Sequence, residues 1–111
     1  MKKSKVLSDK VSKLIVKVLQ FHVLDPNNYE TRKKVIGQIN PALKLLKEKK
    51  NWHKFKVVCD RTNNNKKVRD ANELRLMIIV QTGKDTPWTL CEFIATRSYG
   101  EFKEVMREVA A

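Results

Sequence analysis

The sequence predicts an α+β domain: two N-terminal helices, a small mixed or antiparallel sheet of about three strands, and a short C-terminal helix. Two observations point that way. Over the first 50 residues the apolar side chains recur at helical spacing, whereas between Phe55 and Thr96 they alternate with other residues at the two-residue period of a strand. The segments are separated by Asp-Pro-Asn, Thr-Asn-Asn-Asn and Gly-containing stretches, residue types that turn a chain.

In the first helix Val11, Leu14, Ile15, Val18, Leu19 and His22 form one apolar stripe, with Ser8 or Asp9 as cap and an end near Val23. Asp25-Pro26-Asn27 breaks it, because proline lacks a backbone donor and biases its predecessor away from helical dihedrals. Asn27 and Glu30 have capping-box spacing for a second helix, which would bury Val35, Ile36, Ile39, Leu43 and Leu46 and end in the run 47–50. Pro41 lies inside that helix, so a kink or break is expected between Gly37 and Asn40.

Phe55, Val57 and Cys59 alternate with Lys56, Val58 and Asp60 in the first strand, and Leu74, Leu76, Ile78 and Val80 do so in the second. Thr62, Asn63, Asn64 and Asn65 turn the chain between them. A turn around Gly83 and Pro87 leads to a third strand, about Trp88 to Thr96. Ser98 and Glu101 have capping-box spacing, and Tyr99, Phe102, Val105, Met106 and Val109 would make the closing helix amphipathic.

With 111 residues, 41% of them hydrophobic and 32% charged, the chain reads as a single globular domain spanning 1–111. Its apolar runs are too short to span a bilayer, and the basic N-terminus lacks a signal-peptide pattern, so membrane insertion is not expected. Cys59 and Cys91 lack zinc-type spacing and read as reduced, buried thiols. His22 and His53 have no partners at ligand spacing, and the glycines form no phosphate loop; the expectation is no enzyme and no cofactor.

The net charge is +12 and unevenly placed: 13 basic against 4 acidic side chains in residues 1–50, but 11 against 8 beyond. Such a field attracts a polyanion or an acidic protein. Lys10, Lys13 and Lys17 form a row away from the core face of the first helix, which is either a solvated face or a contact surface.

One stretch resembles a known family. Val58-Cys59-Asp60, then Thr62-Asn63-Asn64, then Val68-Arg69-Asp70-Ala71-Asn72-Glu73-Leu74 is similar to the C-terminal, tube-proximal domain of contractile phage tail sheath proteins. The likeness extends from about Val11 to Phe102, taking in a Pro-Asn turn before the second helix and Phe93-Ile94-Ala95-Thr96-Arg97 as the family's final strand.

The resemblance implies a structural component of a contractile tail or injection machine, made in the host cytoplasm and residing in the virion tail. Such subunits ring the tail tube, and terminal arms of neighbours add strands to each domain's sheet. Here it implies Lys10, Lys13, Lys17, Arg32, Lys33 and Lys34 as tube- or partner-binding residues, and Val6 with Phe93, Ile94, Ala95, Thr96 and Arg97 as strand-exchange margins, residues 1–7 and 93–111 being candidate arms. Partners would be further copies or other sheath-type subunits, the tube protein, and baseplate or neck proteins. The chain is then either a small protein with only the inner domain, as in a baseplate, sheath-initiating or neck component, or a piece of a longer sheath. The alternative is a small basic nucleic-acid-binding protein, which the charge supports without any groove-reading motif.

Overall fold

A computed structural model describes residues 6–96 and the backbone of residues 102–109. Helices α1 (Asp9–His22) and α2 (Tyr29–Lys50) precede strand β1 (Lys54–Val58), a one-turn helix α3 (Lys66–Asp70), and strands β2 (Glu73–Gln81), β3 (Trp88–Thr96) and β4 (Phe102–Val109). The strands form one antiparallel sheet in the order β1-β2-β3-β4. The α+β architecture and the antiparallel sheet agree with the sequence reading.

Both long helices begin where a side chain satisfies an otherwise orphaned amide. Ser8 accepts from Val11 N at 3.3 Å and Asn28 from Thr31 N at 3.0 Å. The α2 cap is thus Asn28 rather than Asn27, whose side chain is engaged elsewhere. Helix α2 ends at Asn51 in the left-handed region (φ 58°), a conformation asparagine tolerates.

Helix α2 runs unbroken through Pro41. Proline removes the bond to the carbonyl four residues earlier, that of Gly37. Pro41 and Gly37 are both exposed, so water can take that carbonyl while the buried side of the helix is undisturbed.

Apolar stripes from both helices cover one face of the sheet. Ile15, Leu19, Val35, Ile39 and Leu43 are fully buried against Leu76, Ile78, Val80, Cys91 and Phe93, while Ile36 is only half-buried at the edge. Register explains the match: Leu74, Leu76 and Ile78 lie opposite Ala95, Phe93 and Cys91, so one phase of each strand enters the core. Residues of the other phase, including Met77, Ile79, Leu90 and Ile94, are half-exposed.

The expected C-terminal helix is a strand. Phe102, Val105, Met106 and Val109 fit a helical stripe, but residues 102–109 pair along β3 from Ala95↔Phe102 to Trp88↔Val109. A long strand with a free backbone margin outweighs a local periodicity of about two turns. The proposed capping pair, Ser98 and Glu101, lies outside the described residues, as do residues 1–5 of the N-terminal arm.

Candidate functional site

The Asn-rich turn is held by its own side chains. Asn64 is fully buried; its amide nitrogen donates to the carbonyls of Asp60 (3.2 Å) and Arg75 (2.9 Å), and its Oδ1 accepts from Arg75 N at 2.9 Å. The β1–β2 ladder ends at Val58↔Met77, and two more positions would set residue 60 opposite Arg75. The Asn64 side chain takes that place, giving Arg75 the donor and acceptor that a further strand residue would have supplied.

The other residues of this segment serve the same end. Asn63 donates to Val58 O at 2.8 Å and accepts from Asp60 N at 3.0 Å, so it caps the end of β1. Asp60 accepts from both the amide and the hydroxyl of Thr62, and these bonds, the hydroxyl first, hold its carboxyl below the usual range. Asn65 caps α3, and Asn72 takes a left-handed conformation (φ 59°) beyond its end. Asp70 forms an exposed ion pair with Lys66, and Leu74 is in the core. Burial pushes the Cys59 thiol up to about 12, which makes it inert, and Cys59 and Cys91 are both buried and form no disulfide.

Arg32 belongs to this structural unit. Only 6% exposed, it donates to Asn27 O (3.2 Å) and Asn27 Oδ1 (2.8 Å), while Asn27 Nδ2 reaches Asn64 Oδ1 and Glu73 O, both at 2.9 Å. The α1–α2 turn is thereby fastened to the start of β2. Arg32, expected among the partner-binding residues, is buried here, and its Nη1 is engaged inside the chain. Lys33 and Lys34 are exposed, Lys33 lying 5.9 Å above the Tyr29 ring. His22 is also structural, its ring 3.2 Å from both Asp25 Oδ2 and Gln38 Oε1.

On α1 the structure leaves Lys10, Lys13 and Lys17 exposed in a row. Sequence reading missed how this row ends: Phe21 is 70% and Leu24 64% exposed, one turn and two turns beyond Lys17. The seven-residue interval from Lys10 to Lys17 to Leu24 was available as a signal.

The strand margins differ from expectation. Phe93, Ile94, Ala95 and Thr96 lie in β3, which has β2 on one side and β4 on the other, so within the single chain they are not a free edge. Nor is β3 the final strand. Arg97 lies outside the described residues. Val6 is half-buried against the core, and its carbonyl accepts from Lys50 Nζ at 3.3 Å. The outermost strands are β1 and β4. Among the described residues no group of three His, Cys, Asp or Glu could hold a metal ion, and no helix is long and apolar enough to cross a membrane.

A similarity was found among curated proteins. Over 96 residues, 86% of this chain, the sequence is 28% identical to a tail sheath protein of Vibrio phage KVP40. The chain spans 14% of that relative's length. No protein-family model and no solved structure matches it.

Proposed function

We propose that the chain is a sheath-type module of a contractile tail or injection machine, non-enzymatic, assembling in rings around a tail tube in the virion after synthesis in the host cytoplasm. The observation that carries this reading is the similarity to a tail sheath protein along almost the whole chain. Sheath, sheath initiator, baseplate and neck component all remain forms of the same role. The basic face of α1, with Lys33 and Lys34, contacts the tube, whose surface is acidic under this reading. Exposed ion pairs contribute only about 0.2 to 1 kcal/mol each. A few per subunit, summed over a ring, hold the tube in register and still release it.

Strand exchange enters through β4. In the isolated chain β4 pairs with its own β3. In the assembly the equivalent strand of a neighbour takes that place, so that Phe93 to Thr96 become the margin of a swapped sheet. Mixed subunits carrying Ile94→Cys on one chain and Lys103→Cys on the other test this, since those positions are register partners. Expected is an intermolecular disulfide on mixing; its absence under assembling conditions would overturn the exchange.

The role as a whole is tested by co-sedimentation with tail tubes. Wild-type protein pellets with them and forms rings by electron microscopy, whereas Lys10→Glu/Lys13→Glu/Lys17→Glu stays in the supernatant. The +12 charge favours nucleic-acid binding as a second reading. Sub-micromolar binding to duplex DNA at physiological salt, falling steeply as salt rises, would replace the sheath role with that one.

A further inference from the structure

The outer face of α1 has two chemically different halves. At 100° per residue, Lys10, Lys13, Lys17 and Phe21 fall within about 80° of one another around the helix, over about 16 Å of its axis. Leu24 follows just beyond the last turn. The three lysines are exposed, and the row ends in Phe21 and Leu24 at 70% and 64% exposure. A face kept only for solvation has no use for two large apolar side chains side by side.

We infer that this face docks a protein surface made of an acidic row continued by an apolar recess, with Phe21 and Leu24 as anchors and the lysines as the orienting charge. Charge complementarity selects the acidic half, since Lys10, Lys13 and Lys17 outnumber Asp9, the one acidic side chain beside them on the first two turns. The apolar half argues against a nucleic-acid backbone, which offers phosphate along its whole length and no recess for Phe21. The inference rests on the tube-contact reading and deepens it. Lysines steer the approach and fix direction along the helix, while desolvation of Phe21 and Leu24 sets how slowly the contact opens. Direction matters because a row of lysines alone binds an acidic row in either polarity or shifted by one turn. An apolar end removes that ambiguity.

The test uses the full chain and three labelled probes: a helical peptide with a Glu row ending in two Leu residues, polyglutamate of equal charge, and a DNA duplex. Wild type is expected to bind the Glu–Leu peptide about tenfold more tightly than polyglutamate. Phe21→Gln/Leu24→Gln abolishes that preference and leaves polyglutamate binding unchanged; Lys10→Gln/Lys13→Gln/Lys17→Gln weakens both. Equal affinity for the two peptides, a preference that survives Phe21→Gln/Leu24→Gln, or tighter binding to DNA than to either peptide would overturn the inference. Thermal denaturation of each variant verifies folding, and both exposed-site variants should keep the wild-type midpoint. Tube co-sedimentation is scored separately: its failure with the peptide preference intact removes the tube as partner but not the two-part surface.

Discussion

The turn from Asp60 to Asn65 and the outer face of α1 are both rich in polar side chains, yet they direct them oppositely. In the turn, Asp60, Thr62, Asn63, Asn64 and Asn65 all hydrogen-bond to the chain itself, and Asn27 and Arg32 extend the network to the α1–α2 corner. On α1, Lys10, Lys13, Lys17 and Phe21 are exposed, and so is Leu24 just beyond its end. The first region makes the fold specific, and the second is where a partner would be met. Likeness of a motif to a family is therefore compatible with a purely architectural role for that motif.

The comparison breaks most visibly at Asn64. Asn64→Asp keeps the size but replaces an amide whose two N–H groups serve Asp60 O, Asn63 Oδ1 and Arg75 O with a buried charge facing those oxygens. A loss of about 3 kcal/mol in urea denaturation is expected, because both the bonds and the solvation of the charge are lost. Asn64→Leu should cost a similar amount, leaving Arg75 N without its acceptor. A change below about 0.5 kcal/mol, ordinary for surface sites, would place Asn64 with the α1 lysines instead.

Next comes the pair Arg32 and Lys33, adjacent in sequence and opposite in use. Arg32→Met removes both bonds to Asn27 and frees a side chain that also anchors Asn64, so about 1 to 2 kcal/mol should be lost. Lys33→Met should remain within about 0.5 kcal/mol. In tube co-sedimentation the order reverses at equal folded fraction: Lys33→Met weakens binding and Arg32→Met does not. Equal effects in both assays would erase the distinction drawn between the two regions.

Periodicity made the helices and the first three strands legible, because burying one face imposes a repeat that needs no long-range knowledge. Ile15, Leu19, Leu76 and Ile78 were readable in that way. What escaped depended on partners distant in sequence. Arg32 reads as one more cation in a basic helix until Asn27 comes back beside it, and Asn64 reads as a turn former until Arg75 is opposite. Residues 102–109 fit helix and strand alike, and only the open side of β3 decides between them. Pro41 predicted a kink or a break by a rule about helix interiors; the break does not occur, and Gly37, whose carbonyl loses its donor, is exposed to water. Phe21 and Leu24 were missed because the outer face of the helix was read for its charges alone.

The smallest expected effect lies inside the turn, at Thr62, and it is diagnostic through its pH dependence. Hydrogen bonds from Thr62, the hydroxyl first, depress the Asp60 carboxyl below its ordinary value of 3.8. A carboxylate with a lowered folded value contributes stability that is fully present above 3.8 and is lost as pH falls through the folded value. Thr62→Val deletes the hydroxyl donor but keeps the amide, so the folded value rises toward 3.8 and the contribution shrinks. Urea midpoints measured from about pH 7 to about pH 2 should show the variant less stable at neutral pH, with the two curves converging below 3.8 as Asp60 protonates in both. A gap that stays constant to the lowest pH would mean that Thr62 acts by packing or backbone preference. In that case the turn would be held by its asparagines alone, and the Asp60 carboxylate would be free to serve the surface, as the lysines of α1 do.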